Sequence, residues 1–393
     1  MRASRTYVFT EPLFRRIFER LIRPITGGEA VVYLRGFESQ VMASEHAQWE
    51  LARSARMLPR VSERIRTFLA QEAWQQILAD PACRSWAEAL RSFCESYGHM
   101  NASHDYLHPT IADDPAKALQ SIRTRMESEA EDPQQRHSRV ALERETATAG
   151  ALVKLQKHRF RRAAFRWALS WAQEGASTRE DIFFYALRGW PLARRTIVQL
   201  GKALVQVGVL ACPEDVFFLT WDELQAAAGG ACENWQAKAA ERRSKQNDRM
   251  SLTPPPRIPA AGSPLTIRRR LIARLKKWIV GRSTTSGEGI LWGAPVSPGI
   301  VTGPARIISS VEELSRLQPG NILVTRAATP EWTSIFTIAA GLVTDVGGPL
   351  SHSSIIAREF GIPSVMGVRV ATTTIAEGQM VTIDGAKGSI QLH

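Results

Sequence analysis

The chain has 393 residues, of which 44% are hydrophobic, and carries a formal net charge of +12. This length allows two or three domains, and the apolar content excludes wholesale disorder. A basic surface can attract nucleic acid, anionic membranes or acidic proteins. No recognised nucleic-acid-binding module accompanies the charge, so we expect no nucleic-acid partner.

The four cysteines are Cys83, Cys94, Cys212 and Cys232. Their spacing contains no C-x-x-C pair, which argues against a zinc site. The opening MRASRTYVFTEPLFRRIFERL lacks the apolar core of a secretory signal, and no later stretch is apolar for the ~20 residues of a membrane span. We therefore expect a cytoplasmic protein with no membrane-surface partner.

Residues 1–250 predict a mostly helical domain, because apolar residues recur at intervals of three and four. Examples are FESQVMASEHAQWELARSA and ARRTIVQLGKALVQVGVL, the second expected to stop at Gly208 or at the ACPED segment after it. Only AVVYL near the start and VFFLT at 216–220 look like strands. Most of the eleven tryptophans lie in this region. We expect them to fill its core, with a pocket for a flat organic molecule as the alternative.

Residues 251–290 form the predicted connection between two regions. SLTPPPRIPAAGSP, with three consecutive prolines, indicates a stiff extended linker. LTIRRRLIARLKKWIVGR, residues 265–282, predicts a basic amphipathic helix. We expect this helix to pack on its own domain. An anionic membrane surface or an acidic groove on a partner is the alternative.

Residues 291–393 change to a period of two and are rich in glycine, which predicts a compact α/β domain of usual size. The predicted strands are GIVTGPARII, NILVTR, GLVTDV, PSVMGV, QMVTIDG and GSIQLH. SSIIAREF predicts one helix and SVEELSRL another. The whole chain is therefore predicted to be an α+β protein of two domains, the helical one first.

GLVTDVGGPLSHSSIIAREFGIP places a histidine at a strand-to-helix turn. The strand is expected to end in Gly347 and Gly348, with Ser351 as the N-cap and His352 in the first helical position. Backbone amides and the positive end of the helix dipole would hold an anion there, together with the Ser351 hydroxyl. Neutral imidazole is nucleophilic near pH 7 and suits a phosphoryl relay. From spacing alone, a histidine that merely caps the helix is an equal alternative.

From Trp292 onward the chain resembles the swivelling phosphohistidine domain of the phosphoenolpyruvate synthase and pyruvate phosphate dikinase family. The resemblance runs through GAPVSPGIVTGPARII, ILVTRAATPEWTSIFTIAAGLVTDVGGPLSHSSIIAREFGIPSVMGV and GQMVTIDGAKGSIQL. It implies that His352 is the residue phosphorylated and Ser351 its hydroxyl neighbour. It also implies that Gly347 and Gly348 form the turn and that Arg358 contacts the phosphate.

The helical region resembles the middle domain of rifampin phosphotransferase, which holds the acceptor molecule in that family. The matching segments are ELARSA, FCESYGHMNASHDYLHPTIADDP and GKALVQVGVLACPEDVFFLTWDEL. Tyr97 and His99 match the YGH of that family and are acceptor-binding candidates, with His99 as a base. Arg188, Arg194 and Arg195 are candidate anion contacts. Met100 and Asn101 depart from the usual Arg-Gly, which leaves the acceptor open.

A metal cluster of His99, His104 and His108 is an alternative interpretation of the same segment. The sequence lacks carboxylate ligands at helical spacing beside these histidines, so we expect no metal.

Relatives that charge this histidine from ATP carry an ATP-grasp domain, and no G-x-x-x-x-G-K-[ST] loop occurs in this chain. We therefore expect a phosphotransferase component of a split enzyme. A separate ATP-grasp subunit, which binds ATP and Mg²⁺, would phosphorylate His352. The group would then pass to a small organic acceptor in the helical domain, and this chain itself would bind no cofactor. The alternatives are a condensing, ligase-type enzyme of secondary metabolism with a phosphorylated intermediate, or a non-catalytic phosphocarrier or regulatory protein.

Overall fold

The computed structural model describes most of the chain outside one long internal segment. The described residues are 10–11, 13–101, 105–127, 131–231, 233–250, 252, 289–310, 313, 316–328, 332, 336, 338–349 and 351–393. Apart from Leu252, the predicted linker 251–264 and the basic helix 265–282 lie outside these ranges. So do four residues of the predicted helix SVEELSRL, at 311–312 and 314–315.

The N-terminal region is helical, as predicted. Its α-helices are α1 (Arg23–Thr26), α2 (Gln40–Met57), α3 (Pro59–Thr67), α4 (Ala70–Ala79), α5 (Arg84–Tyr97), α6 (Ala116–Glu127), α7 (Pro133–Lys154), α8 (Arg159–Leu187), α9 (Trp190–Gln206), α10 (Trp221–Ala228) and α11 (Trp235–Met250). A π-helical turn spans Phe18–Ile22, and 3₁₀ segments span Ala30–Leu34, Pro81–Cys83, Gly98–Asn101 and Pro213–Phe218.

The two strands predicted in this region are wrong. AVVYL forms the 3₁₀ segment Ala30–Leu34, whose Tyr33 ring packs 5.2 Å from Phe18 and 5.3 Å from Phe165. Most of VFFLT belongs to the segment Pro213–Phe218 and the extended link to α10. Helices surround both segments, so local turns satisfy their backbone groups in place of a strand ladder, and burial overrides the β-propensity of their side chains.

The helical core contains only some of the tryptophans expected there. Trp74, Trp86 and Trp235 are buried, and the Trp86 indole donates to the Leu51 carbonyl oxygen at 3.2 Å. Trp167 and Trp171, on the outer face of α8, are 49% and 47% exposed. The prediction that tryptophans fill the core is therefore correct for the first three and wrong for these two.

α9 ends where the sequence indicated. Gly208 adopts a φ of 75°, and the Val209 amide donates to the Leu204 carbonyl at 2.9 Å. Gly208 itself donates to Val205 at 3.0 Å, which completes a Schellman motif.

The C-terminal domain is a mixed sheet of eight strands in the order β1-β8-β7-β3-β4-β5-β6-β2. The strands are β1 (Ile290–Trp292), β2 (Ala294–Ser297), β3 (Ile300–Ile307), β4 (Ile322–Thr325), β5 (Gly341–Thr344), β6 (Ser364–Met366), β7 (Met380–Asp384) and β8 (Ser389–Leu392). Strands β3 to β6 pair in parallel, and the other pairs are antiparallel. Helices α12 (His352–Glu359) and α13 (Ala371–Thr374) follow β5 and β6.

This domain confirms the predicted α+β class. All six predicted strands are present, while β1 and β2 were missed because they are short and carry no alternation. Every residue of β4 and β5 is buried, as expected for parallel strands covered on both faces. One of these faces also contacts the helical region, since Val41 and Met42 of α2 join the apolar cluster around Ile356.

Two helical glycines should respond oppositely to replacement by alanine. A Cβ on Gly201 of α9 would lie 2.1 Å from the Pro213 carbonyl oxygen, whereas one on Gly150 of α7 would meet nothing within 4 Å. We expect Gly201→Ala to lower the free energy of unfolding by about 1–3 kcal/mol through overpacking. Gly150→Ala should raise it by about 0.5–1 kcal/mol by removing a flexible residue from a helix. Chemical denaturation measures both, and a stabilising Gly201→Ala would contradict the close packing of α9.

Candidate functional site

The candidate site begins at the carboxyl end of β5. The ladder with the neighbouring strand continues past its last residue, because the amides of Asp345 and Val346 donate to the carbonyls of Thr325 and Arg326 at 3.1 and 2.8 Å. The glycine turn therefore starts at the edge of the parallel sheet. Open α/β sheets commonly bind ligands at this edge.

The turn closes tightly onto the start of α12. Gly347 has a φ of 131°, and a Cβ there would lie 3.3 Å from the Ser351 hydroxyl. The Gly348 carbonyl accepts from the Ser351 amide at 2.9 Å and from the Ser354 hydroxyl at 2.6 Å. Gly347 is thus required by the backbone, while the space beside Gly348 is open.

His352 is the first residue of α12, as the sequence predicted, and it is half-buried rather than enclosed. Ser351 occupies the N-cap position, but its hydroxyl lies 2.8 Å from the Ser354 hydroxyl and caps no backbone amide. Together with Ser353, whose hydroxyl is 3.3 Å away, these residues form a polar group around the helix start. A phosphoryl group on the imidazole would meet hydroxyl donors and the positive end of the helix.

Arg358 lies at the other end of the same helix, where Gly361 provides the predicted stop. The Gly361 and Ile362 amides donate to the Arg358 and Ala357 carbonyls at 3.2 and 2.8 Å. The buried guanidinium of Arg358 donates to the Pro349 carbonyl at 2.7 Å and to Glu11 at 2.6 Å. The structure thus connects Arg358 with the glycine turn, and its contact with a phosphate stays a prediction.

His99 lies in the short segment Gly98–Asn101 and is 2% exposed. Its ring meets Phe184 edge-on at 4.5 Å, and its Nε2 has no hydrogen-bond partner among the described residues. Burial lowers the pKa of His99, an effect that a hydrogen bond with the Phe184 backbone opposes. The Nε2 atom of this neutral imidazole can accept a proton, but it is buried, so only a group that reaches the protein interior could deliver one. Tyr97 is half-buried between Phe93 and Phe184, with ring separations of 5.6 and 6.2 Å.

The three candidate arginines do not converge on one point. Arg194 is buried and donates to the Tyr106 carbonyl at 2.9 Å. Arg195 forms an ion pair with Asp113 at 2.9 Å. Both therefore connect α9 to the segment around 105–114. Arg188 is exposed near His99, where its charge adds to the lowering of the pKa of that histidine. Anion binding by these arginines stays a prediction.

Sequence reasoning missed Asp345, which lies just before the glycine turn and binds the start of α13. Its buried carboxylate accepts from the Ala371 amide at 2.6 Å and from the Thr372 amide at 3.2 Å. The signal available was an acidic residue directly after a buried strand, in TDVGG. Glu11 was also missed, because its contact with Arg358 joins positions 347 residues apart.

Within the described ranges, no three His, Cys, Asp or Glu side chains are arranged to hold a metal ion. His104, a member of the alternative histidine cluster, lies outside those ranges. A search of the same residues for a helix of sufficient length and apolarity to cross a bilayer finds none.

Two family models match the chain. Residues 317–388 match the mobile domain of PEP-utilising enzymes, and residues 12–180 match the fourth domain of rifampicin phosphotransferase. These matches confirm the two resemblances predicted from the sequence, one for each region of the chain.

Individual relatives agree with this result. The chain is 35% identical to a rifampicin phosphotransferase of Streptomyces sviceus over 51% of its own length and 21% of the relative's. It is 29% identical to the uncharacterized phosphotransferase YvkC of Bacillus subtilis, over 78% of the chain and 36% of that protein. It is 28% identical to chondramide synthase of Chondromyces crocatus, over 91% of the chain and 10% of the synthase. The chain thus spans about a third or less of each of these relatives.

Alanine substitutions at the two glycines of the turn should have different effects, one on stability and the other on access to His352. Gly347→Ala places a Cβ at a φ of 131°, which only glycine adopts readily, so we expect a loss of about 1–3 kcal/mol in the free energy of unfolding. Gly348→Ala should change this free energy by less than about 0.5 kcal/mol. If His352 accepts a phosphoryl group, Gly348→Ala should slow that step, because its Cβ occupies the open space beside the turn. Equal stability of the two variants would contradict the assigned geometry.

The buried His99 should make folding weaker in mild acid. The unfolded chain binds a proton near the ordinary histidine pKa of about 6.5, while folded His99 stays neutral to lower pH. The unfolded state therefore binds more protons between these two values, and stability falls as the pH drops from about 7 through that window. Denaturation at pH 7.5 and pH 5.5 should show that the free energy of unfolding falls less between these pH values in His99→Gln than in the unmodified chain. The exposed His158, replaced in the same way, serves as the control. An identical loss with and without His99 would argue against its burial.

Proposed function

We propose that this chain is the phosphoryl-carrying and acceptor-binding component of a dikinase-like phosphotransferase. His352 takes a phosphoryl group from an ATP-grasp module, which we place on a separate subunit with ATP and Mg²⁺. The group then passes to a small organic acceptor in the helical region. The observation that carries this proposal is a half-exposed histidine at the start of α12, in a segment that matches a PEP-utiliser mobile domain.

Two displacements at phosphorus describe the reaction. In the first, an imidazole nitrogen of neutral His352 attacks phosphorus, a P–N bond forms, and the P–O bond to the nucleotide breaks. In the second, a nucleophilic oxygen of the acceptor forms a P–O bond, the P–N bond breaks, and the imidazole nitrogen recovers its electron pair. If the acceptor atom is a hydroxyl, its proton must move to a base. Catalysis of this kind rests on positioning and on charge stabilisation.

The start of α12 supplies much of this positioning. The first amides of a helix have no intrahelical acceptor, and they carry the positive end of its dipole. The hydroxyl groups of Ser351, Ser353 and Ser354 lie next to them. The Ser354 hydroxyl donates to the Gly348 carbonyl at 2.6 Å, so the backbone amides at the helix start are the main donors that this proposal assigns to the phosphoryl group. The open side of Gly348 leaves room for donor and acceptor to reach phosphorus.

The acceptor side of the proposal rests on His99. Its pKa is lowered by burial, so the imidazole is neutral near pH 7 and can take a hydroxyl proton. Met100, the next residue, packs against the apolar cluster that Val41 and Met42 share with residues of the C-terminal domain. The His99 segment therefore adjoins the surface where the two regions meet. A small molecule bound there would lie within reach of a carrier on the opposite domain.

A condensing enzyme is the second candidate function. The alignment with a synthase covers 91% of the chain and hence both of its regions, whereas the rifampicin phosphotransferase alignment covers 51%. In a condensation, the phosphorylated acceptor reacts further, so the product contains no phosphorus and inorganic phosphate is released. Phosphorus in the final product decides between the two functions. A chain that accepts the group and passes it to no small molecule is a phosphocarrier only.

Phosphorylation of His352 is the direct test of the proposal. Given ATP and the ATP-grasp subunit, we expect one acid-labile phosphoryl group per chain, and we expect its complete loss in His352→Ala. His393→Ala, which removes an exposed histidine of the same domain, should retain it. Labelling is measured by radioactive phosphate retained on the protein at neutral pH and after acid. If His352→Ala were still labelled, the proposed role of His352 would be wrong.

A further inference from the structure

Three consecutive residues at the end of α12 each contact a different part of the helical region. Arg358 pairs with Glu11, Glu359 accepts from the loop before α2, and the Phe360 ring lies below a guanidinium of α7. The helix that begins with His352 therefore ends in a surface that fits the acceptor-binding region. Chance contact between two domains seldom gives every residue of a turn a specific partner.

The ion pair between Arg358 and Glu11 is almost completely buried. Its side chains are 4% and 3% exposed, and the two atoms are 2.6 Å apart. Water reaches both groups only if the domains separate, so the pair forms and breaks together with docking. The second guanidinium nitrogen of Arg358 donates to the Pro349 carbonyl at 2.7 Å. Pro349 belongs to the turn that presents His352, so this one side chain connects the docking contact with the candidate site.

Glu359 makes a second polar contact across the same boundary. Its carboxylate accepts from the amides of Gly36 and Phe37 at 2.6 and 3.3 Å. Gly36 has a φ of 72°, and a Cβ on it would lie 2.7 Å from the Ala141 backbone, so glycine is required there. Arg144 donates to the Gly36 carbonyl and lies 4.2 Å from the centre of the Phe37 ring. The two amides are thus held by the helical region itself.

Apolar contacts surround these polar pairs. The Arg136 guanidinium lies 5.6 Å from the centre of the Phe360 ring, within the range of a cation–π interaction. Val41, Met42 and Met100 pack into the cluster that contains Ile356. Apolar groups that exclude water around a few strong contacts are the arrangement found in specific protein interfaces.

We propose that Glu11 and the amides of Gly36 and Phe37 form a docking site for the end of α12, and that Arg358 is a positioning residue. Arg358 holds the phosphohistidine turn against the helical region while the phosphoryl group moves to the acceptor. This role rests on the proposed function, since it assigns a purpose to the docked arrangement. The interface requires both charges, and the domain leaves it when the pair breaks.

Domain docking can be measured on the full, unphosphorylated chain. Spin labels at Leu69→Cys and Ile300→Cys, in a background of Cys212→Ser and Cys232→Ser, report the distance between the two regions. Both label positions are well exposed, at 78% and 72%. Amide hydrogen exchange at Gly36 and Phe37 reports the Glu359 contact independently.

We expect Glu11→Gln to broaden the distance distribution toward longer separations and to speed exchange of the two amides by about tenfold or more. Arg15→Ala is the matched control, because Arg15 pairs with the same Glu11 carboxylate from within its own helix at 2.9 Å. The control should keep the narrow distribution. Arg358→Lys retains the charge but lacks the forked donor of arginine. It should broaden the distance distribution less than Glu11→Gln does. If Glu11→Gln does not fold, Glu359→Ala, which removes the acceptor of the Gly36 and Phe37 amides, should broaden the distance distribution in the same way.

An unchanged distribution with unchanged amide protection in folded Glu11→Gln would overturn the docking role. Equal broadening in Arg15→Ala would also overturn it. Loss of the local Glu11–Arg15 pair would then explain both results without any docking role. Neither readout uses phosphorylation. If His352 were not phosphorylated, the proposed function would be wrong, while the docking result would be unaffected.

Discussion

The parallel crossover from β5 through α12 to β6 determines the position of the candidate site. Because β5 and β6 pair in parallel, α12 has to begin at the carboxyl edge of β5 and return alongside the sheet. The glycine turn fixes the start of the helix, and the Schellman motif at Gly361 fixes its end. One helix of eight residues therefore presents His352 at a half-exposed start and Arg358 at a buried end. In the proposed function, the carrier histidine and the docking surface therefore belong to one rigid helix.

Arginine contributes to this protein mainly as a structural donor. Arg56 donates to the carbonyls of Met126 and Arg125 at 2.8 and 2.5 Å, near the end of α6. Arg242 donates to the Phe218 carbonyl at 2.8 Å, and Arg194 donates to Tyr106. Guanidinium groups satisfy carbonyls that have no intrahelical partner, and their stems pack on the helices. Part of the net charge of +12 is thus used within the fold.

The sequence predicted features with local signatures and missed those that depend on distant contacts. The strands, α12, Gly208 and Gly361 follow from periodicity and glycine chemistry, which act over a few residues. AVVYL failed because burial among helices overrode β-propensity. The pair of Glu11 and Arg358 could not be foreseen, because no periodicity connects two positions so far apart. Arg194 donates to the Tyr106 carbonyl, a contact that the sequence did not indicate, and its predicted contact with an anion stays a prediction.

In the proposed function the phosphoryl group is bound to the imidazole of His352, and the serine hydroxyls beside it are the competing sites. Phosphorus-31 NMR of the chain, incubated with ATP and an ATP-grasp protein and kept at neutral pH, distinguishes phosphohistidine from phosphoserine. We predict a single phosphoramidate signal that disappears on brief acidification, with coupling to the ring protons of His352. An acid-stable phosphate ester on Ser351, Ser353 or Ser354, with no phosphoramidate signal, would contradict it.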